Sequence, residues 1–331
     1  MSTHKIAIVG GAGFVGASLA RYLADSYEVR VLDKNPVPTD IRDKVKFELC
    51  DVSSRDDVRR ALKGAELVIH TAIIQIPQIN EMKRLGYAVN VAGIQNVCEA
   101  VDELESVRGM LLTGSWHVFG EKDFRGTVDE SFGSRPDKVD GRARLYALCK
   151  IAQETLVRIY DEMSRKTYGV VRIGTVLGEG MPEKTAANIF ISKGLRGEPL
   201  TPYRNSMYRP MLYVDVKDVC RAFEAFARRI LDNGIDKNEG SLGRIVNMFW
   251  PTPITILELA NIVRERIVKC SAGGISPEIR IVDTGEPLSY SEDDKKKMSV
   301  DIGRARDFLG MTELNSPEQT IDRIVLGLIH N

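Results

Sequence analysis

A glycine-rich turn set between a buried strand and a helix is the feature that most limits what this chain can become. The run KIAIV (5–9) is continuously apolar, as a strand covered on both faces must be. It passes through GGAG into FVGASLARYLA, whose apolar residues recur with helical period. Strand, turn and helix therefore follow within about twenty residues. Gly10, Gly13 and Gly16 are spaced by three, and Gly11, Gly13 and Gly16 also satisfy GxGxxG. Glycines at such a junction permit a tight turn, a close backbone approach to a ligand, and close packing of helix on strand.

The alternation continues along the chain. EVRVLD and KVKFELC read as strands, RDDVRRAL as a helix, AELVIH as a strand, 81–104 as one long helix, and RGMLLTG as a strand. RARLYALCKIAQETLVRIYDEM is a long amphipathic helix and YGVVRIG the strand after it. Parallel strands need crossovers, and the intervening helices supply them. The expected fold is α/β, a Rossmann-type doubly wound parallel sheet with a smaller C-terminal substrate-binding lobe. Residues 1–174 would form the nucleotide-binding domain, with 210–250 returning to it, and 175–331 mainly the lobe. Within that lobe VKDVCRAFEAFARRI, TILELANIVRERIV and PEQTIDRIVLGLI read as helices, and GRIVNMF and EIRIV as strands. The charge run SEDDKKK (291–297) reads as a solvated loop.

Lys+Arg and Asp+Glu both total 46, so the formal net charge is zero. That balance gives no footprint for nucleic acid or an anionic membrane, and any phosphate site must be local. The five cysteines (Cys50, Cys98, Cys149, Cys220, Cys270) are scattered without CxxC or Cys/His ligand spacing. They suggest buried thiols in a reducing cytoplasm and no metal site. MSTHKIAIVGG leaves no room for a signal peptide, and the longest apolar stretch, ELVIHTAIIQI, falls short of the ~18–20 residues that span a bilayer. A soluble, cytoplasmic protein is expected.

The glycine turn opens a helix, whose first free N–H groups attract a pyrophosphate. Asp33 ends the second strand about 20 residues downstream, where a carboxylate can accept both hydroxyls of a ribose and repel a 2′-phosphate. Together they predict a dinucleotide, NAD rather than NADP, although the neighbouring Lys34 is a cation that could tolerate a phosphate.

Tyr146 and Lys150 stand at i and i+4 in YALCK, on one helix face. A nearby ammonium favours phenolate, so the spacing would lower the tyrosine pKa toward a range useful for acid/base work. Alone, the pair also fits an ordinary helix with a packed tyrosine and a solvated lysine. Cys149 between them reads as a small helix-face filler.

With these residues in place the chain resembles the short-chain dehydrogenase/reductases, in particular the extended branch that contains UDP-galactose 4-epimerase and other nucleotide-sugar epimerases and dehydratases. The turn around Gly10, Gly13, Phe14, Val15 and Gly16 is similar to that branch's glycine motif. CDVSS resembles its adenine-side step at Asp51 and Val52, and VIHTAI its cofactor-lining strand end at His70 and Ala72. NVAGIQNVCEA is close to the NVxGTxNxLEA helix, with Asn90 and Asn96 in place, and TGSWHVFG sits where the branch has SSxxVYG, so that Ser115 matches its catalytic hydroxyl. The resemblance implies that Ser115, Tyr146 and Lys150 are catalytic: Tyr146 exchanges a proton with a substrate hydroxyl, Lys150 holds the nicotinamide ribose, and Ser115 bonds the substrate oxygen. It implies a cofactor site of Gly10, Gly13, Phe14, Val15, Gly16, Asp33, Lys34, Asp51, Val52, His70, Ala72, Asn90, Tyr146 and Lys150, and a homodimer formed through helices near 81–104 and 144–163.

In YRPMLYVDVKDVCRAF, similar to the branch's RxFxYVxDVxxA, Arg209 takes the place of a substrate-phosphate arginine, while Tyr213, Asp215 and Asp218 take the following places. A guanidinium grips phosphate bidentately. Asn188 falls where epimerases have an asparagine near the diphosphate. Dehydratases read TDEVYG, and the positions of their Asp and Glu are Trp116 and His117 here, so dehydration is disfavoured; both are assigned to substrate binding. The arginine that epimerases carry before their last helix start is missing until Arg304. TAIIQIPQIN, expected to face the substrate, is apolar.

The leading expectation is a redox-neutral, NAD-dependent nucleotide-sugar epimerase. The alternatives are an NAD(P)-dependent dehydrogenase or reductase of a hydroxysteroid-like or other small carbonyl compound, and a non-catalytic dinucleotide sensor, against which the Tyr146/Lys150 pair counts.

Overall fold

A computed structural model describes residues 3–330; Met1, Ser2 and Asn331, at the ends of the two expected segments, lie outside the described residues. Seven strands form one sheet: β1 (Lys5–Val9), β2 (Glu28–Asp33), β3 (Lys46–Leu49), β4 (Leu67–His70), β5 (Gly109–Ser115), β6 (Thr167–Ile173) and β7 (Ile245–Met248). Their order is β7-β6-β5-β4-β1-β2-β3 and every pairing is parallel. The chain therefore winds outward one way from β1 and then the other way from β4. Between β1 and β4 lies the crevice in which such sheets bind ligands, beyond the strands' C-terminal ends.

Alternation along the strands divides the interior in two. Ile6 and Ile8, Leu67 and Ile69, and Leu111 point into one core. Ala7 and Val9, Val68, and Met110 and Leu112 point into the other. Side chains two apart share a face, so continuous apolar runs serve both layers. Helices α1 (Phe14–Leu23), α2 (Arg55–Ala61), α3 (Gly93–Glu103) and α4 (Arg144–Met163) are the crossovers. α3 packs beside α2 and α4, while α1 packs against α6 (Val216–Leu231).

The later chain builds on this frame. α5 (Ala186–Leu195) and α8 (Pro317–Ile329) both pack against α7 (Ile256–Cys270). Short pairs stitch the parts together: Thr175–Leu177 with Tyr213–Asp215, Pro210–Met211 with Ile254–Thr255, and Gly126–Val128 with Met298–Val300. The Asp215 carboxylate accepts from the Lys217 amide, from Thr320 and from Arg323. Asp218 accepts from Arg221 and from both the backbone and side chain of Asn315. The first turn of α6 is thereby tied to the C-terminal segment.

The structure differs from the sequence expectation in two elements. The helix expected over 81–104 is broken into Gln78–Glu81, Lys83–Tyr87, a π-helical turn at Ala88–Ala92, and α3. The wider turn accompanies a local demand: Asn90 both accepts from the Ile74 amide at 2.7 Å and donates to the Ile74 carbonyl at 3.0 Å, a local irregularity of the kind that recurs at functional sites. EIRIV is not a strand; Ile279 and Val282 make isolated bridges to Leu200 and Tyr203. The charge run neutralises itself and its neighbour, Lys296 on Asp293, Lys297 on Asp294, and Lys295 on Glu258.

One buried ion pair fastens α4 to β6. Arg172 donates to both oxygens of Glu154 at 2.8 and 2.6 Å and to the Glu130 carbonyl at 3.1 Å, with both partners buried. Removing one partner strands a desolvated charge. Arg172→Met is expected to cost about 3–5 kcal/mol of unfolding free energy, and Arg172→Met/Glu154→Leu to recover most of it, as read from urea midpoints.

Candidate functional site

The strand ends and the glycine turn enclose a cavity of about 330 Å³. Gly10 has φ +80°, and a Cβ there would lie 2.4 Å from the Ala72 nitrogen. A Cβ on Gly16 would lie 2.3 Å from the Gly10 carbonyl oxygen. Both positions exclude larger residues, so the turn is flattened against the β4 end and the base of α1. Gly13, at the N-cap, has no side chain to occupy the helix end, and no acidic residue stands in the first turn. The first N–H groups of α1 accordingly face the cavity as free donors, a site suited to an anion.

Gly10, Gly13, Phe14, Val15, Gly16, Asp33, Lys34, Val52, Ala72, Tyr146 and Lys150 all line this cavity. At one end Asp33 is locked in place, its Oδ2 accepting from the Ala12 amide at 3.0 Å and its Oδ1 from the Asn35 amide at 2.9 Å. Lys34 turns to Asp51, 2.9 Å away, so its charge is offset by a neighbouring carboxylate. Val52 is held from behind, its carbonyl accepting from Asn96 at 3.0 Å.

Three residues expected at the cofactor do not form its wall. Asp51 sits outside it, bonded to Lys34 and Ser53. His70 is sealed in the interior, 1% exposed, with neither ring nitrogen hydrogen-bonded. Burial drives its pKa down to about 3, with the Lys150 charge acting in the same direction, so it is a neutral core residue. Asn90 is also fully buried and works indirectly, clamping Ile74. The wall there is formed by Thr71, Ile73, Ile74 and Gln75, from the apolar stretch expected to face the substrate, and by Val89, which sequence reading did not single out.

At the opposite end Tyr146 and Lys150 project from α4. The Lys150 amine is buried and donates to the Thr113 carbonyl at 2.7 Å, and its nitrogen stands 6.0 Å from the centre of the Tyr146 ring. Burial lowers its pKa to about 7. Burial raises Tyr146 to about 12, with the nearby Ser115 hydroxyl acting in the opposite direction. The lowering expected from the YxxxK spacing is therefore reversed: the lysine is aimed at the strand end, and desolvation of the phenol dominates.

Behind Tyr146 lies a second cluster. Ser115 Oγ is 3.3 Å from His117 Nδ1 and also accepts the His117 amide at 3.3 Å. His117 Nε2 is 3.1 Å from Glu121 Oε1, and the imidazole meets the Tyr146 ring edge-on at 5.5 Å. Glu121 is fully buried and also accepts from Arg142 at 3.1 Å and from the Asp140 amide at 3.2 Å. Burial alone would raise its pKa; the His117 bond and the charges of His117, Arg142 and Arg209 hold it at about 2. Arg209 is part-buried, and its Nε has no hydrogen-bond partner. Neither Glu121 nor Arg142 was singled out from sequence; each acquires its place only through the long connection between β5 and α4.

Two residues expected to contact substrate are engaged elsewhere. Trp116 is 1% exposed and donates to Thr175 at 3.2 Å, which makes it part of the core. Asn188 donates to the Met181 carbonyl at 2.9 Å and accepts from Ser192 at 3.0 Å, fixing the loop before α5. Among the described residues no cluster of His, Cys, Asp or Glu is placed to hold a metal ion, and no helix is long and apolar enough to cross a membrane. All five cysteines are free.

The buried lysine makes a pH-dependent contribution with a definite sign. Its folded pKa is depressed, so the native state binds fewer protons than the unfolded chain between about pH 7 and 10.5. Stability relative to a Lys150→Met variant should accordingly rise with pH across that window, by up to about 1.4 kcal/mol per pH unit, and the difference should flatten below it. Urea unfolding of both proteins at pH 7, 8 and 9 measures this.

The model of a family described as the NAD dependent epimerase/dehydratase family matches residues 6–238. Among curated proteins, the chain is 28% identical over 227 residues to one from Methanocaldococcus jannaschii named "Putative UDP-glucose 4-epimerase", covering 66% of this chain and 71% of that one. It is 35% identical over 161 residues to a sterol-4-alpha-carboxylate 3-dehydrogenase, decarboxylating, from Bos taurus, covering 46% of this chain and 41% of that one. A solved structure of MoeE5 in complex with UDP-glucuronic acid and NAD shares the fold, with a TM-score of 0.77 at 20% identity and coverage of 98% and 99%.

Proposed function

The chain belongs to the NAD dependent epimerase/dehydratase family, and from that premise we propose that it is a nucleotide-sugar epimerase, removing a hydride from a sugar carbinol and returning it to the other face. The observation that carries this reading is the convergence on one cavity of the glycine turn, the Asp33 carboxylate and the Tyr146/Lys150 pair. Asp33 suits two ribose hydroxyls, the uncapped start of α1 suits a pyrophosphate, and the Lys34–Asp51 pair leaves little free positive charge for an added 2′-phosphate, which favours NAD. When bound, NAD supplies the hydride acceptor and donor.

The chain's own residues then manage one proton and the substrate's orientation. Tyr146 takes the proton of the reacting hydroxyl and later restores it. Lys150, anchored on the Thr113 carbonyl, presents its remaining N–H donors toward the cavity. Arg209, with its unpartnered nitrogen, grips the diphosphate, so that residues 1–174 serve mainly the cofactor and 175–331 the sugar nucleotide. Likeness to the Methanocaldococcus protein and to a fold solved with a UDP-sugar and NAD supports this reading.

A dehydrogenase acting on a less polar alcohol is the second reading. It draws on the wall formed by Ile73, Ile74 and Val89 and on the likeness to the sterol enzyme. Incubation with NAD and, in turn, UDP-glucose, UDP-galactose and UDP-glucuronic acid separates the two. Epimeric product with no net change in nicotinamide absorbance is expected, and a stoichiometric gain in that absorbance would favour the dehydrogenase. Tyr146→Phe is expected to lower turnover by about 100-fold or more; full activity in that variant would overturn both enzymatic readings.

We also propose a homodimer. Leu148, Ile159 and Met163 stand exposed along α4, Met163 at 83%, with Tyr87 exposed at the end of the short helix Lys83–Tyr87. A stripe of this kind marks an interaction face. Ile159→Glu/Met163→Glu should elute as a monomer in size-exclusion chromatography where the wild type elutes as a dimer.

A further inference from the structure

One lip of the cavity's mouth is a loop. Pro182 lines the cavity and is itself exposed, so it stands at the rim. The segment Gly178–Pro182 leads there from the short strand Thr175–Leu177, and its start is pressed against the end of the cavity suited to an anion. A Cβ on Gly178 would lie 2.4 Å from Val216 Cγ1, at the head of α6, and 3.5 Å from the tip of the Phe14 ring, which lines the cavity at the start of α1. Downstream the segment is fixed to the beginning of α5. The Thr185 amide and hydroxyl donate to the Pro182 carbonyl at 3.1 and 2.9 Å, and Asn188 donates to the Met181 carbonyl at 2.9 Å.

Upstream the tie is ionic. Arg323, on α8, donates through Nε to Glu179 Oε1 at 2.6 Å, and through one terminal nitrogen to Glu179 Oε2 at 3.4 Å and to Asp215 Oδ2 at 2.7 Å. The two carboxylates are unequal. The Asp215 side chain is fully buried and also accepts from Thr320 and from the Lys217 amide, so it is a fixed anchor for the guanidinium. Glu179 is 51% exposed at its side chain, where an ion pair is weak and screened by salt. The tie therefore opens on the Glu179 side while Arg323 stays on Asp215. Gly178 and Gly180 flank Glu179, Gly180 at φ +80° with open space where a Cβ would stand, so the outer half of the loop can turn without driving a side chain into its neighbours.

We propose that Glu179 and Arg323 form a latch that holds the loop Gly178–Pro182 at the mouth of the cavity and so sets the rate at which the dinucleotide enters and leaves. Neither residue lines the cavity. A latch placed there governs passage and not affinity, so releasing it speeds entry and exit alike. A redox-neutral cycle must keep its cofactor until the hydride has been returned, and a slow exit serves that cycle. The inference rests on the cavity being the NAD site, and it holds whichever alcohol is oxidised there.

NADH is the probe, because its fluorescence reports binding and release with no sugar nucleotide present. Stopped-flow release of prebound NADH from the full-length protein into excess NAD gives the exit rate, a fluorescence titration gives Kd, and the entry rate follows from the two. Glu179→Ala, in an exposed loop, is expected to speed release about fivefold with Kd within about twofold. Arg323→Gln, which keeps a donor for Asp215, should do the same. In about 0.5 M NaCl the wild-type rate should approach that of the variants, since screening opens the pair. An unchanged release rate overturns the latch, and so does faster release matched by a proportional rise in Kd, which marks the loop as binding wall. Wild-type protein that binds no NADH overturns the latch together with the cofactor site. Protein that shows these rates but turns over none of the sugar nucleotides above keeps the latch and loses the epimerase reading.

Discussion

The structure depends on a helix laid polar side down upon the sheet. Along α4 the inward positions include Lys150, Gln153, Glu154 and Asp161, all buried. Each finds a fixed partner: Lys150 the Thr113 carbonyl, Gln153 the Asn90 carbonyl, Glu154 the Arg172 guanidinium, and Asp161 the Tyr168 amide and Arg244. Buried polar groups are tolerable only when paired, so these bonds set the rotation and height of α4 together. Tyr146 lies on the same helix, one turn before Lys150. Its position at the cavity is therefore inherited from pairings made along three further turns, and the geometry of the site and the stability of the domain share one set of interactions.

The cofactor end is organised by backbone in place of long side chains. Gly10 and Gly16 bring the turn within contact of the β4 end, and Asp33 is gripped by the Ala12 and Asn35 amides. A carboxylate held by two backbone N–H groups cannot swing away, so this end of the cavity presents a rigid negative charge. Lys34 and Asp51 extend the same logic at the rim: each charge faces the other, and the exposed pair adds little energy but offsets the cation next to Asp33.

What could be read from sequence follows from the range of the interaction involved. The inner strands and their crossovers announce themselves through local apolar runs, because both cores are fed by the same strands, whereas the edge strand β3 leaves Phe47 and Leu49 exposed. The glycine turn, Asp33 and the Tyr146/Lys150 spacing are also local patterns, and all of them meet at the cavity. The π-turn at Ala88–Ala92 escaped notice because its apparent cause, the reach of Asn90 to Ile74, is a contact across 16 residues. His70 sits in a motif-like segment yet faces the core, since alternation at a strand end decides the side chain's direction. Glu121 gave no signal at all: its meaning arises when the connection between β5 and α4 folds Arg142 back over it.

The electrostatics of the site make a single demand on its chemistry. Burial pushes the Tyr146 phenol up to about 12 and the Lys150 amine down to about 7, so both groups resist carrying charge. Glu121 is the contrary case: although buried, it is held ionised by His117, Arg142 and Arg209. His117 stands between Glu121 and Tyr146, its ring 3.1 Å from Glu121 through Nε2 and edge-on to the Tyr146 ring at 5.5 Å. The fixed negative charge therefore lies behind the tyrosine and outside the cavity, while the two groups that line the cavity are disposed to stay neutral.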